Sequence, residues 1–174
     1  MKNNKWLKYT ILGVVVALIL VADLVSKYIA SQKLGTESVT IIPHLIDFKF
    51  TTNRGAAWGI MEGRQAFLIF LAVLFVAVFV WYYIKEKHKT WLLTISVGLL
   101  ISGCLGNMID RIFLGYVRDF IMFDFWKSFP IFNFADIALC VGVPLFIIYL
   151  IVYFVKTEKV KKEEKTDNND GENA

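Results

Sequence analysis

The chain has 174 residues, 57% of them hydrophobic, a mean hydropathy of +0.57 and a formal net charge of +4. That length fits one domain, and so large an apolar excess excludes an ordinary soluble globule. The positive charge sits in short lysine clusters rather than a basic stripe, which excludes a nucleic-acid-binding surface.

Four stretches are long enough to cross a bilayer, for which a helix needs roughly 20 apolar residues. The first is predicted over residues 6–30; residues 9–22 carry no charge, and Asp23 and Lys27 follow before the apolar pattern ends. Basic residues ahead of such a run also describe a secretory signal. No small-x-small cleavage site follows promptly at Ala22, however, and three later spans anchor the chain, so a signal-anchor helix is expected. In the outer loop that follows, residues 39–42 form a β-rich run ending at Pro43. Residues 46–51 alternate, with Ile46, Phe48 and Phe50 facing one way and Asp47, Lys49 and Thr51 the other. The pattern predicts a small sheet on the membrane surface, ended by a turn at Asn53-Arg54-Gly55.

The second helix is predicted over 65–84 and the third over 90–110, joined by a tight turn at 85–89 into an antiparallel hairpin. The third helix carries Gly98, Ser102 and Gly106 at four-residue steps, with Gly103 beside them. Small residues at that spacing let helix backbones approach closely in lipid, so this helix is expected at the centre. A second outer loop holds Phe120, Phe123, Phe125, Trp126, Phe129, Phe132 and Phe134, a density suited to the headgroup region. The fourth helix follows over 136–155, with a kink expected at Pro144. Residues 157–174, rich in lysine, acid and asparagine, are predicted to form a disordered cytoplasmic tail. The expected architecture is an all-α membrane protein: a four-helix domain over 1–156 with a small extracytoplasmic β-sheet in the first outer loop, then the tail. Cys104 and Cys140 fall inside helices without CxxC spacing and read as buried small apolar residues.

Lysine and arginine set the orientation. Residues 1–8, 85–89 and 156–174 hold 11 of the 19 basic residues, and the longer opposite segments, 27–65 and 110–136, hold the other 8. Basic residues favour the cytoplasmic side, which predicts both termini inside and both long loops outside.

Two motifs then stand out, Val-Arg-Asp-Phe at 117–120 and Phe-Asn-Phe-Ala-Asp at 132–136. They put Asp119 and Asp136 at the two ends of one aromatic loop on one side of the membrane. A carboxylate at such a boundary is costly and usually functional. Two that meet there cannot both ionise easily, so one keeps a proton and the other acts as a base, the chemistry that activates water against a peptide carbonyl. The plainer readings are a helix N-cap for Asp136, with Asn133 also placed to cap, and a solvated loop charge for Asp119. Asn107, Asp110 and Arg111 share one helical face. They form either a polar wall facing the two acids, with Arg111 offering donors to a substrate carbonyl, or the end of the span, with the arginine reaching for headgroups. Asp23 and Lys27 make an i, i+4 ion pair that should point into the bundle, to brace the first helix or to meet substrate.

Other chemistries fit poorly. His44 and His88 fall on opposite sides of the membrane and HExxH is absent, so no metal site is expected. Ser26 and Lys27 are adjacent on a helix and diverge by about 100°, which excludes a Ser–Lys dyad. No glycine-rich phosphate loop is present.

Five motifs in order resemble those of lipoprotein signal peptidase, or signal peptidase II, a family of bacterial inner-membrane aspartyl proteases. They are Asp-Leu-Val-Ser-Lys at 23–27, Asn-Arg-Gly-Ala-Ala-Trp at 53–58, Gly-Asn-Met-Ile-Asp-Arg at 106–111, and the two acidic motifs. The resemblance runs from about residue 21 to 143, without departure at a motif position. It implies removal of the signal peptide from diacylglyceryl-modified prolipoproteins, with cleavage before the lipidated cysteine. Asp119 and Asp136 then look like the catalytic dyad, and Asn53, Asn107, Asp110, Arg111 and Asn133 like residues that line and orient the site. No cofactor is implied; the expected partners are lipidated prolipoproteins and membrane lipids, with the enzyme a monomer. The alternatives are a small proton-coupled carrier using Asp23, Asp110 and Asp136 as a relay, and a structural subunit. The first lacks an inverted repeat, and the second leaves the Asn–Asp motifs unexplained.

Overall fold

Lipid offers no partner to backbone N–H and C=O groups, so each apolar run satisfies its own by forming a helix. The computed structural model describes residues 5–35 and 37–172, the side chains at 5, 57 and 160–172 excepted. In chain order the elements are α1 (Lys5–Lys33), β1 (Val39–Ile42), β2 (Ile46–Asn53), a 3-10 turn at Ala57–Gly59, α2 (Gln65–Lys85), α3 (Trp91–Leu114), β3 (Val117–Phe123) and α4 (Phe134–Glu172). All four α-helices are long and apolar enough to cross a membrane.

The third helix is the hub of the bundle. In its most apolar stretch 61% of residues are buried, against 6%, 11% and 17% for α1, α2 and α4, whose outer faces are left to lipid. Its small residues make this possible: a Cβ on Gly98 would meet Val15 of α1 at 2.8 Å, and one on Gly103 would meet the Ala135 carbonyl of α4 at 2.6 Å. Thr90 starts α3 by accepting from the Leu93 N–H at 3.1 Å, and Tyr83, Leu93, Val97, Ile101 and Tyr149 pack the end of the bundle nearest the α2–α3 turn.

The sheet is larger than the alternation predicts. It has the antiparallel order β1-β2-β3, and its third strand comes from the loop between α3 and α4, not from the one between α1 and α2. Most of β3 is buried, so its side chains show no polar–apolar alternation, and the run reads as aromatic loop. Ile46, Phe48 and Phe50 do share an apolar cluster, packed with Ala30, Leu34, Phe120, Ile121 and Phe132. Asp47, predicted on the open face, is buried instead. Between Phe48 and Thr51 the register shifts, so two residues of β2 oppose Phe120 alone. Such a bulge re-aims the neighbouring side chains, and Asp119 is the next residue along.

Helix α3 ends at Gly115, whose φ of 77° is a left-handed conformation that costs glycine nothing. The chain reverses there and enters β3 two residues later, which brings Asp119 back over the end of α3. At the other end of the loop, α4 runs through Pro144 and stays helical to Glu172, where composition predicts disorder from residue 157. Extending an existing helix avoids the nucleation cost, and lysine and glutamate are good helix formers. Residues 173–174 of that tail lie outside the described ones.

The tightest approach in the bundle is at Gly106, where a Cβ would stand 2.5 Å from Asp23 Oδ2 and 3.0 Å from Ala135 Cβ. Gly106→Ala should lower the unfolding midpoint in detergent, costing about 1–3 kcal/mol by overpacking. Gly13→Ala, where nothing lies within 4 Å, is the control and should be neutral or slightly stabilising. Equal midpoints for the two variants would show that α1, α3 and α4 part easily at this point.

Candidate active site

The site forms around the first turn of α4. A helix start leaves backbone N–H groups without intrahelical partners and carries partial positive charge, so acceptors and anions collect there. Asn133 precedes the helix and accepts the Asp136 N–H on Oδ1 at 3.0 Å, while Asp136 Oδ2 accepts the Asn133 N–H at 3.1 Å. This is a reciprocal capping box. Asn133 is therefore the cap and Asp136 its partner, whereas the sequence alone left Asp136 as the first candidate for the cap. The Ala135 N–H is taken by Asp23 Oδ1 of α1 at 2.9 Å. Three side chains, one of them from α1, thus converge on one helix terminus.

Asn133 also joins the two acids. Its side-chain amide donates to Asp119 Oδ1 at 2.6 Å and to Asn107 Oδ1 at 3.1 Å, and it is fully buried. Asn107 in turn donates to Asp136 Oδ1 at 2.7 Å. Each carboxylate is therefore held by amide groups that do not titrate. Asp119 is 2% exposed, and burial first, then the nearby Asp136 charge, push its carboxyl up from 3.8 to about 7. The amides of Asn133 and Asn53 pull it back in part.

Lysine and arginine balance the remaining acids. Lys27 is wholly buried; its ammonium donates to Asp23 Oδ2 at 2.8 Å and to Asn107 Oδ1 at 3.0 Å, and lies 3.7 Å from Asp110. Arg111 spans two backbones, donating to the Asn107 carbonyl at 3.2 Å and to the Gly55 carbonyl at 2.9 Å. It thereby ties α3 to the loop of residues 54–64, which also closes on itself through Ala56 N–H to Ile60 O and Gly63 N–H to Arg54 O. Arg111 Nε is buried and has no partner among the described residues.

A cavity of about 420 Å³ opens beside the two acids, walled by Phe123, Phe129, Phe132 and the α4 residues Ile137, Cys140 and Val141. A second, more polar pocket of about 410 Å³ lies on the other side, lined by Thr51, Thr52, Arg54, Glu62 and Ser128. Asp119, Asn53, Trp58, Pro130 and Ile131 border both. Asp119 therefore stands where an apolar chamber meets a polar one, and Asp136 lines the apolar chamber beside it.

Of the residues singled out from sequence, Asn53, Asn107, Arg111, Asp119 and Asp136 all line the apolar cavity. Asn133 sits behind the two acids, and Asp110 faces away from the cavity into its ion pairs. Cys140, read as buried, is exposed on the cavity wall because this face of α4 has no helix against it; Cys104 is half-buried. Sequence reasoning missed Arg118, which grips Asp110 through three hydrogen bonds. It also missed Trp58, which is 66% exposed and meets Phe129 edge-on at 5.8 Å across the cavity mouth. An exposed tryptophan inside a polar motif was the available signal for the second; a partner eight residues away across a turn left none for the first.

Residues 15–152 match the profile of a family described as signal peptidase (SPase) II. The chain belongs to that family. A curated lipoprotein signal peptidase from Lactobacillus gasseri is 37% identical over 153 residues, spanning 87% of this chain and 96% of the relative. Two solved structures described as bacterial membrane enzymes share the fold. One has a TM-score of 0.76 at 34% identity, covering 80% of this chain and 87% of its own. The other has 0.73 at 35%, covering 80% and 91%. The protein is thus a signal peptidase II, a multi-pass bacterial membrane protease of the aspartic type. A carrier built on Asp23 and Asp110 loses its ground, since Lys27 and Arg118 already neutralise both.

The raised Asp119 carboxyl makes a stability prediction. The fold favours its neutral form, so this stabilising contribution is full below about pH 4 and is lost as pH rises through about 7. Asp119→Asn lacks the titrating group. Unfolding in detergent should show the wild type losing stability relative to the asparagine variant as pH rises across that window. A stability difference that does not change with pH would mean that Asp119 titrates like an ordinary aspartate.

Proposed function

We propose that the enzyme removes the signal peptide from diacylglyceryl-modified prolipoproteins, cleaving before the lipidated cysteine with Asp119 and Asp136 as its catalytic pair. The observation that carries this reading is the bridge of Asn133 between the two carboxylates, of which Asp136 lines an apolar chamber and Asp119 stands where that chamber meets a polar one. In this reading Asp119, whose carboxyl is pushed up to about 7 by burial and then by the Asp136 charge, carries the proton of the pair. Asp136, with one donor on each oxygen, serves as the base.

In the reaction, Asp136 takes a proton from water as the water oxygen bonds to the scissile carbonyl carbon. Asp119 gives its proton to the carbonyl oxygen. As the tetrahedral adduct collapses the C–N bond breaks, Asp136 gives its proton to the leaving amine, and one hydroxyl of the adduct returns its proton to Asp119 as the new carboxyl forms. Asn53 and Arg111, on the cavity wall, orient the substrate carbonyl. Asn107 and Asn133 hold the acids, and Asp23, Lys27 and Asp110 fix the elements that carry them. The apolar chamber along α4 suits the acyl chains and the departing signal helix. The polar pocket suits the first residues of the mature chain. A substrate that is itself membrane-anchored arrives by lateral diffusion and needs no tunnel from water.

The dyad is tested by Asp119→Asn, Asp136→Asn and their combination, assayed on a purified lipidated prolipoprotein peptide. Each single change should cost at least about 100-fold in turnover, and the double should be little worse than either, because the two act as a unit. Chelators should leave the wild type unaffected. Near-full turnover in a folded single variant would sink the assignment, as would activity lost to chelation and restored by zinc.

The lysine distribution further supports both termini in the cytoplasm and the site at the outer face of the bacterial inner membrane. A tag inserted beside Glu37 should then be labelled by an impermeant reagent on intact cells whose outer layers admit it. A tag reached only after lysis would invert the topology.

A further inference from the structure

Among the described residues, the charged groups around the dyad form a closed account. From α1 come Asp23 and Lys27, from α3 Asp110 and Arg111, from β3 Arg118, and from β2 the neutral amide of Asn53, the charged Asp47 and Lys49 of that strand lining neither chamber. The loop of residues 54–64 adds Arg54 and Glu62 to the polar pocket, one charge of each sign. Lys27, Arg111 and Arg118 supply three positive charges against the two of Asp23 and Asp110. The set is therefore neutral when Asp119 and Asp136 together carry one negative charge, which is the state with a single shared proton. In a low-dielectric interior an uncompensated charge is strongly disfavoured, so the positive residues select that proton count.

Arg118 is the member of this set that also holds backbone. Its guanidinium meets both oxygens of Asp110, Nη2 to Oδ1 at 2.6 Å and Nε to Oδ2 at 3.2 Å, and its own N–H donates to Oδ2 at 3.0 Å. Asp110 is 1% exposed and the Arg118 side chain 15%, so this grip is largely shielded from water. It pins β3 to the end of α3 one residue before Asp119. It also satisfies Asp110, leaving Lys27 closer to Asp23 and Asn107, at 2.8 Å and 3.0 Å, than to Asp110 at 3.7 Å. We propose that Arg118 is a positioning residue which, through Asp110, both seats Asp119 and holds the catalytic pair at one proton. This rests on the peptidase reading of Asp119 and Asp136.

The test is the pH profile of cleavage of a lipidated peptide. Arg118→Gln removes a positive charge and should move both limbs to higher pH, by about one unit, with turnover reduced more than KM. Asp110→Asn removes a negative charge and should move both limbs to lower pH. Joining the two changes removes one charge of each sign and should return the limbs toward wild type. Arg118→Lys keeps the charge without the planar fork, so it should restore the profile but not the full turnover. Infrared titration of the carboxyl band that Asp119→Asn abolishes reads the same shifts without any substrate. A wild type that fails to cleave would strike at the peptidase reading, while this titration still judges Arg118. Should Arg118→Gln not fold, the downward shift of Asp110→Asn decides. Limbs and carboxyl titration that stay at wild-type positions in the folded single variants, or a double variant displaced as far as a single, would overturn the proposal.

Discussion

Everything at the sheet-bearing end of this bundle depends on how the first turn of α4 is capped. Its free N–H groups must be satisfied where little water reaches, and the acceptors that meet them come from Asn133, Asp136 and, 112 residues earlier in the chain, Asp23. Because Asn133 spends its backbone and carbonyl oxygen on the cap, its side-chain NH₂ is left pointing at Asp119 and Asn107. Capping a helix and joining two carboxylates are thus one act. The same residue could not do the second without the first holding it still.

That arrangement sits on a helix contact of unusual closeness. Glycine at 103 and 106 lets α3 reach the start of α4 and the Asp23 carboxylate together, so Lys27, Asn107 and Asp110 arrive in one small volume. A larger residue at either glycine would separate acids from their cations, and separated buried charges are costly in lipid. Packing and electrostatics are therefore the same constraint seen at two scales. Structural amides rather than further charges touch the two acids directly, which leaves the proton count of the pair to the surrounding arginines and lysine.

The site's surroundings follow from where the strands go. Because β3 belongs to the sheet, Asp119 rides on a hydrogen-bonded element and not on a free loop, next to the residue that the β2 bulge faces. The aromatic residues after it, Phe123, Phe129 and Phe132, stack against one another with centroids between 5.1 and 5.9 Å apart and form a chamber wall. Trp58 closes over from the opposite loop with a φ of 55°, a left-handed backbone rarely adopted by a bulky residue. The result is an amphipathic mouth, apolar along α4 and polar toward the loop of residues 54–64.

The four spans, their order, the central place of α3 and the first two strands were legible in the sequence, because lipid imposes length and apolarity and a half-exposed strand imposes alternation. The acidic pair was legible too, since carboxylates are rare beside so many aromatics. The third strand was not, because a segment buried on both sides loses the alternation that marks it. Nor was Asn133 as the bridge or Arg118 as the clamp: each acts on residues that only chain reversal at Gly115 and the closure of the loop bring near. Tertiary structure alone decided which polar groups share a donor, because that depends on distances of 2.6 to 3.1 Å between separate elements. Residue order by itself carries no such distances.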